Sequence, residues 1–184
     1  MATTVASRDT LRLESLRAFF EPAQVAVIGA STDFTKIGGR PIHNMKIAGY
    51  KGRVLPINPT VKEVQGLPAF PDLASVDGPV DMAIVVVPQA RGLVEPAIRS
   101  CIDKGVKAAI ILSSGFAEID AKGAAAQARI AAAAKEAGLR IMGPNCMGTM
   151  NANTGMIATF TSGLVDSGPD IGGISIASQS GAFG

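Results

Sequence analysis

The sequence is poor in the residues that proteins use to bind nucleic acids. It has no tryptophan, one tyrosine and 4% aromatic residues overall, so few rings are available to stack on bases. Its 17 lysine and arginine residues nearly balance 15 aspartate and glutamate residues, which gives a net charge of +2 without a basic run. Nucleic-acid-binding proteins usually carry a clustered basic face. We therefore expect no nucleic-acid partner.

Long apolar runs and a framework of cysteines are also lacking. The longest apolar stretches, such as residues 108–114, have the length of a strand and fall well short of the ~20 residues that cross a bilayer. Residues 8–14 carry four charges, which is not typical of a signal peptide. The two cysteines, Cys101 and Cys146, form no disulfide framework. We expect a cytoplasmic protein with reduced thiols and no membrane partner.

The reactive side chains do not form a known catalytic or metal-binding set. The single histidine, His43, falls in a predicted helix, where a packed or solvated role is favoured over ligation. The two cysteines stand 45 residues apart, which is not a zinc-binding spacing, and no nucleophile elbow or Walker A motif occurs. Cys146 could be a nucleophile, but a small packing residue is favoured. Asp72, Asp77 and Asp81 fall in polar connections and are expected to be solvated.

What the sequence does contain is a regular alternation of strand-like and helix-like segments. Short, buried-type apolar runs predict strands at residues 24–29, 53–58, 81–88, 107–115 and 139–145. Helical patterns begin near Pro41 and cover residues 94–102 and 118–137. This alternation predicts βαβ units, hence an α/β fold with a Rossmann-like parallel sheet and helices on both faces.

The pattern weakens after residue 145, where small and polar residues dominate. A strand and a glycine turn are then predicted within residues 172–184, "GGISIASQSGAFG". We expect residues 1–150 to form one domain and residues 151–184 to begin a second, incomplete one. The alternative is a sixth strand that closes the first sheet. An exposed edge after residues 172–178 would favour association into an oligomer.

The predicted sheet also predicts where a ligand binds. Ligands of open parallel sheets lie beyond the carboxyl ends of the strands, near the point where the strand order reverses. The residues at these ends are mostly small, hydroxyl-bearing or glycine, which favours binding over catalysis. In chain order the candidate binding residues are Gly29, Ala30, Ser31, Thr32, Lys36, Gly38, Asn58, Pro59, Val87, Pro88, Ser113, Ser114, Gly115, Asn145 and Cys146.

The loop after the first strand predicts a phosphate site. A helix begins after Gly38, and the first N–H groups of a helix lack internal partners. Lys36 adds a positive charge. The alternative is that Gly29 and Gly38 only allow the strand and the helix to pack closely. The second strand ends in Asn58 instead of the carboxylate that holds the ribose of NAD, which favours a nucleotide whose ribose carries phosphate.

Six segments appear in an order that resembles a known family. They are VAVIGAS…KIGGRPIHNM, VLPINP, GLPAFPDLASV, DMAIVVVP, ILSSGFAE and MGPNCMG. This series is similar to the CoA-binding domain of NDP-forming acyl-CoA synthetases, a superfamily that includes ADP-forming acetyl-CoA synthetase and the succinyl-CoA synthetase α subunit. The resemblance covers nearly all of residues 12–184, and GPNC followed by SQSG at residues 178–181 is its most specific pair.

The resemblance implies that the candidate residues bind CoA. By position, the loop that holds Gly29, Ala30, Ser31, Thr32, Lys36 and Gly38 would contact CoA. Asn58 and Pro59 would lie near the adenosine, and Val87 and Pro88 would line the pantetheine. Ser113, Ser114 and Gly115 would supply the next contact, and Asn145 and Cys146 would lie near the thiol. The SQSG segment is similar to the phosphate-holding turn of a following flavodoxin-like domain. The family often has a basic residue directly after the pair that matches Asn58 and Pro59, where this sequence has Thr60, with Lys62 two residues later.

The resemblance also implies a partial role. The family's phosphorylated histidine lies beyond the SQSG turn, and His43 is in the wrong domain to replace it. These residues would thus position CoA to attack an acyl phosphate in an acid–thiol ligase, while the remaining ligase domains or subunits handle NTP and magnesium. The alternatives are the matching module of a protein acetyltransferase and an independent CoA or nucleotide sensor.

Overall fold

The computed structural model describes Leu13, residues 16–164 and residues 168–181. Residues 16–20 are helical. In chain order the strands are β1 (Gln24–Ile28), β2 (Arg53–Ile57), β3 (Glu63–Val64), β4 (Leu67–Pro68), β5 (Met82–Val85), β6 (Ala108–Ile111), β7 (Arg140–Met142), β8 (Gly148–Asn151) and β9 (Met156–Thr159), and the helices are α1 (Arg40–Ile47), α2 (Val94–Lys104) and α3 (Ala121–Ala137).

Five of these strands form a parallel sheet in the order β2–β1–β5–β6–β7. The register of β1 against β2 runs from Gln24↔Arg53 to Ile28↔Ile57. The three central strands are apolar apart from Gln24 at the start of β1, because both faces of the sheet are covered there. The predicted Rossmann-like parallel sheet is confirmed. Each strand is shorter than predicted, because the residues at its carboxyl end leave the sheet as a loop.

Successive residues of each strand pack on opposite faces of this sheet. Ala26 and Ile28 of β1 point to the layer that contains α2 and α3. Val25 and Val27 point to the layer that contains α1 and β9. The carboxyl ends of the strands therefore lie between these two layers, which is where a ligand can approach the backbone of an open parallel sheet.

Two short antiparallel hairpins were missed by the sequence analysis. β3 pairs with β4 inside the predicted loop between the second and third strands, and β8 pairs with β9 in the region where the pattern weakens. Met156, Ile157 and Ala158 of β9 are fully buried and pack with residues of α1. Strands this short carry too little periodicity to be recognised, and their burial depends on tertiary packing.

The predicted strand within residues 172–184 is not formed in the part of the chain that the structure describes. Residues 168–181 pair with no strand of the central sheet, and the side chains of Ile174 and Ile176 are 88% and 80% exposed. The alternative of a sixth strand in the first sheet is therefore wrong for these residues, and residues 182–184 lie outside the description. A strand needs a partner for its N–H and C=O groups, and none is present here. The boundary near residue 150 stays a prediction.

Asp81 was expected to be solvated, and that expectation is wrong. It lies at the amino edge of the sheet, where its side chain is 16% exposed. Its Oδ2 accepts hydrogen bonds from the backbone N–H groups of Ala23 and Gln24, at 3.0 and 3.1 Å, and its Oδ1 accepts one from Lys107 Nζ at 2.9 Å. Partial burial opposes the charged form, but these bonds hold the pKa of Asp81 below its ordinary value. Asp72 and Asp77 are exposed, as expected.

None of the helices within the described residues has the length and apolar character needed to cross a lipid bilayer.

Candidate functional site

The candidate residues lie together at the carboxyl ends of the five sheet strands, a surface called here the carboxyl rim. β1 stands between β2 and β5, so the chain leaves β1 toward one side of the sheet and later crosses to the other. The strand order reverses at this point, which is where open α/β sheets bind ligands. The loop of residues 29–39, called here the β1–α1 loop, begins at this reversal.

The β1–α1 loop is closed by two very short backbone approaches. A Cβ atom added to Gly38 would lie 2.3 Å from the carbonyl oxygen of Gly29, and one added to Gly39 would lie 2.2 Å from that of Asp33. Gly29 itself has a φ of +92°, which favours glycine. The backbone N–H of Ser31 donates to Gly38 O at 3.2 Å. These glycines therefore do bring the end of β1 against the start of α1, as the packing alternative supposed, and they also fix the shape of the loop.

Side chains inside the loop stabilise the same shape. Asp33 Oδ1 accepts hydrogen bonds from Thr35 N at 2.9 Å and Thr35 Oγ1 at 2.6 Å, which lower the pKa of Asp33. Ser31 Oγ accepts a bond from Asp33 N. Lys36 Nζ lies 4.0 Å from Asp33 Oδ2 with a side chain 71% exposed. Because such an exposed pair is weak, Lys36 keeps its charge available to a ligand.

Some backbone donors of the loop have no acceptor in the described residues. Ser31, Asp33, Thr35 and Lys36 donate their N–H groups within the loop. The N–H groups of Thr32, Ile37 and Gly38 donate to no atom that the structure describes. N–H groups of this kind beside a helix N-terminus suit an anionic oxygen.

The end of β2 is tied to the β1–α1 loop by amide side chains. Asn58 Nδ2 donates to Ala30 O at 2.8 Å, and its Oδ1 accepts bonds from Thr60 N and Thr60 Oγ1. Gln65, which the sequence analysis did not single out, donates from Nε2 to Ser31 O at 3.1 Å and Gly39 O at 3.0 Å. No local signal marks Gln65, because Gln-Gly is not among the dipeptides typical of a two-residue hairpin turn.

The remaining strand ends join this loop in one continuous row. A Cβ on Gly29 would lie 2.9 Å from Val87 Cγ1. Ser113 Oγ donates to Val87 O at 2.7 Å, and the N–H of Asn145 donates to Ser113 O at 3.0 Å. Cys146 Sγ follows, 3.5 Å from Ile111 O. The structure thus brings together residues that lie more than 100 positions apart in the sequence.

The turn after β6 is held by a side chain that the sequence analysis also missed. Glu118 accepts hydrogen bonds from the N–H groups of Gly115 and Phe116, at 2.6 and 3.2 Å. These bonds lower the pKa of Glu118. Gly115 has a φ of +104°, and a Cβ there would meet Gln89 Cβ at 3.3 Å. Glu118 therefore fixes the turn that carries Ser114 and Gly115 at the rim.

The surroundings of the two cysteines and of His43 favour packing roles over catalytic ones. Burial raises the pKa of the Cys101 thiol to about 12 and also raises that of Cys146, although backbone N–H groups act against the second shift. Both thiols are therefore neutral near pH 7, which favours packing over nucleophilic attack. The ring of His43 stacks on Phe34, with centroids 4.8 Å apart. The described residues contain no group of three histidine, cysteine, aspartate or glutamate side chains that could hold a metal ion.

A cavity of about 770 Å³ lies at the opposite, amino edge of the sheet. It is a shallow groove whose lining includes Arg17, Asp81, Lys107 and Gly138. The carboxylate of Asp81 is already bonded to two N–H groups and a lysine. The carboxyl rim, with its N–H groups without acceptors and its glycine turns, is the better candidate for binding a nucleotide-like ligand.

Comparison with known proteins places the rim inside a recognised domain. The family model described as "CoA binding domain" matches residues 23–152. This range contains every candidate residue from Gly29 to Cys146.

Several relatives share most of this chain. An ADP-forming acetate–CoA ligase II from Archaeoglobus fulgidus is 38% identical over 171 residues, which cover 93% of this chain and 25% of that protein. The alpha subunit of an ADP-forming acetate–CoA ligase II from Pyrococcus furiosus is 38% identical over 167 residues, covering 90% of this chain and 35% of that subunit. A dinucleotide-forming acetyl-coenzyme A synthetase 1 from Ca. Korarchaeum cryptofilum, solved with phosphate and ADP, has a TM-score of 0.74 at 37% identity and covers 80% of this chain and 31% of that one. The chain thus spans about a quarter to a third of the length of these relatives.

Proposed function

The chain belongs to the CoA-binding domain family, and from this membership we propose that it binds CoA at the carboxyl rim as the CoA-positioning part of an NDP-forming acyl-CoA synthetase. The observation that carries the proposal is the continuous row of strand ends inside the matched residues 23–152. The relatives described above are named as ADP-forming acetate–CoA ligases and an acetyl-CoA synthetase, which favours a ligase over an acetyltransferase or a sensor.

The β1–α1 loop is the proposed site of the diphosphate of CoA. Its N–H groups at Thr32, Ile37 and Gly38 have no acceptor among the described residues, and a helix N-terminus follows at Arg40. Lys36 supplies an exposed positive charge. Bonds of this kind to a charged oxygen are each worth about 1.5–3 kcal/mol. Asn58 provides no carboxylate for a free ribose 2′,3′-diol, which agrees with a ribose that carries a phosphate.

The row from Val87 to Cys146 is the proposed path of the pantetheine arm. Val87, Ser113 and Asn145 are linked in order by hydrogen bonds and run away from the loop toward β7. The Ser113 hydroxyl proton is used on Val87 O, but the oxygen still has lone pairs that can accept from an amide N–H of the arm. The thiol would then lie near Asn145 and Cys146.

The proposed reaction takes place on the thiol of CoA. Its sulfur forms a bond to the carbonyl carbon of an acyl phosphate, the bond from that carbon to the bridging oxygen breaks, and phosphate leaves and takes up the proton that the thiol loses. This chain contributes by holding the thiol in place, which can lower the barrier by several kcal/mol. Making the acyl phosphate from an acid and an NTP with magnesium belongs to other ligase domains or subunits.

The proposed partners follow from that division of labour. The Pyrococcus furiosus relative is named as an alpha subunit, so this chain would work with further ligase domains or a second subunit. The two free cysteines suit a reducing compartment such as the cytoplasm. The gene sequence beyond codon 184 distinguishes the ligase from the acetyltransferase and sensor alternatives.

A thermal-shift experiment tests CoA binding. CoA at 100 times its Kd stabilises the native state by about 2.7 kcal/mol, which raises the Tm of a chain of this size by about 5–11 °C. NADH, which lacks the ribose phosphate and the pantetheine arm, should raise it less. Equal shifts with both, or a shift with NADH alone, would contradict the proposal.

A substitution in the loop gives the matched control. Ser31→Trp places an indole in the β1–α1 loop and should abolish the CoA shift while the far-UV circular dichroism is retained. Ala74→Trp, at an exposed position outside the carboxyl rim, should keep the shift. If Ser31→Trp retains wild-type CoA affinity, the ligand binds elsewhere.

A further inference from the structure

The turn between β3 and β4 has a residue in an unfavourable backbone conformation. Val64 pairs with Leu67, so Gln65 and Gly66 form a two-residue hairpin loop. Their φ angles are +53° and +84°, the combination that a type I′ turn requires. Turns of this type favour Asn-Gly, because asparagine tolerates the left-handed conformation better than longer side chains do. Glutamine at this position is therefore not explained by the turn itself.

The side chain of Gln65 makes hydrogen bonds that an asparagine at this position could not make. Its Nε2 donates one hydrogen to Ser31 O at 3.1 Å and the other to Gly39 O at 3.0 Å. Both acceptors belong to the β1–α1 loop, one near its start and one at its end. Asparagine is shorter by one methylene, which leaves its amide about 1.5 Å short of these carbonyl oxygens. Glutamate has the same length but presents carboxylate oxygens, which repel carbonyl oxygens.

A third hydrogen bond fixes the turn to the helix that follows the loop. Lys46 Nζ, on α1, donates to Gln65 O at 3.3 Å. The turn is thus anchored to α1 through its backbone and to both ends of the loop through its side chain. This arrangement holds the spacing between the end of β1 and the first turn of α1, where the proposed diphosphate site lies.

We propose that Gln65 is a positioning residue for CoA, whose amide bridge holds the β1–α1 loop in the shape that accepts the diphosphate. This inference rests on the proposed function. Gln65 acts through the loop and does not contact the ligand itself. The left-handed backbone at position 65 is then a cost in stability that is retained because the bridge improves binding.

The test uses two substitutions with opposite effects on stability and affinity. Gln65→Asn suits the turn better, so the Tm of the free protein should stay equal or rise, while the loss of the bridge should raise the Kd for CoA by about tenfold. Gln65→Glu keeps the length but should raise the Kd by at least as much. Pro68→Ala, on the exposed part of the same hairpin, is the control and should leave the Kd within about twofold. Calorimetric titration gives the Kd, and differential scanning fluorimetry gives the Tm.

The outcomes separate this inference from the proposed function. Weaker CoA binding by Gln65→Asn at an unchanged or higher Tm supports the positioning role, because a purely structural residue would lower both together. Wild-type affinity in both variants, or an affinity loss that only follows a loss of Tm, overturns the inference and leaves CoA binding intact. If the wild-type chain itself does not bind CoA, the proposed function fails and this inference fails with it.

Discussion

Replacement of Gly38 by alanine tests whether the shape of the β1–α1 loop determines CoA affinity. The new Cβ would lie 2.3 Å from Gly29 O, whereas ordinary contact begins at 3.4 Å. Both sides of this contact are backbone, so the end of β1 and the start of α1 must separate by about 1 Å. The bond from Ser31 N to Gly38 O, at 3.2 Å in the native loop, would then stretch beyond hydrogen-bonding distance.

The consequence for binding can be estimated. If the displaced loop loses one N–H bond to a charged phosphate oxygen, the cost is about 1.5–3 kcal/mol, which raises the Kd by roughly 10- to 100-fold. At a CoA concentration 100 times the wild-type Kd, the stabilisation by CoA would fall from about 2.7 to about 1.4 kcal/mol or less. The shift in Tm should therefore be at most about 3–6 °C, compared with about 5–11 °C in the wild type.

The control for Gly38→Ala is a variant that strains the backbone at a glycine away from the β1–α1 loop. Gly78 has a φ of +80°, and a Cβ added there would meet no atom within 4 Å; it lies before β5, at the amino edge of the sheet. Gly78→Ala should cost about 1–2 kcal/mol through backbone strain and leave the Kd for CoA within about twofold. Calorimetry and thermal scanning on the two variants and the wild type measure both quantities. Gly38→Ala with a wild-type Kd would refute the argument that this close approach shapes the site.

Two further predictions concern groups whose titration the structure perturbs. Asp81→Asn should lower the free energy of unfolding by about 1–3 kcal/mol at pH 7. Because folding lowers the pKa of Asp81, its contribution to stability is present above about pH 4 and is lost as the pH falls through the native pKa. Urea unfolding measured from pH 7 to pH 3 should therefore show the stabilities of the two proteins converging. Iodoacetamide at pH 8 should label the half-buried Cys146 faster than the fully buried Cys101, and acetyl-CoA, which has no free thiol, should slow the labelling of Cys146; equal rates, or no protection, would contradict the rim assignment.

The sequence was sufficient to predict the sheet and the assembly of the carboxyl rim. Strands buried on both faces appear as short continuous apolar runs, and here each run ends in glycine, proline, asparagine or serine. Once the strands are known to be parallel, their carboxyl ends must meet at one edge. The sequence therefore predicts that residues as distant as Gly29 and Cys146 lie at the same edge of the sheet. The same reasoning placed strand ends too late, because the polar rim residues still resemble strand termini.

Besides the two short hairpins and the local bonds of Glu118, the features that were missed depend on hydrogen bonds across long sequence distances. The partly buried Asp81 accepts hydrogen bonds from the N–H groups of Ala23 and Gln24, which stand 58 and 57 positions away. Asn44 on α1 donates to Thr159 O, 115 positions away, and thereby links α1 to β9. No local sequence pattern predicts such bonds. Gln65 was missed for the same reason, since the residues that its side chain contacts lie 34 and 26 positions earlier.

The opposite error occurred in residues 172–181. A strand was predicted within residues 172–184, yet the described residues 172–181 form no strand. Local propensity sets only which conformation the backbone prefers, whereas a strand also requires a neighbouring strand to satisfy its N–H and C=O groups.

A crystal structure of the chain with CoA tests the central claim most directly. The account predicts the diphosphate within hydrogen-bonding distance of the N–H groups of the β1–α1 loop, and the arm running along Val87 and Ser113 with its thiol near Cys146. CoA bound instead in the groove of about 770 Å³ at the amino edge, against Asp81 and Lys107, with the carboxyl rim free of ligand, would contradict it.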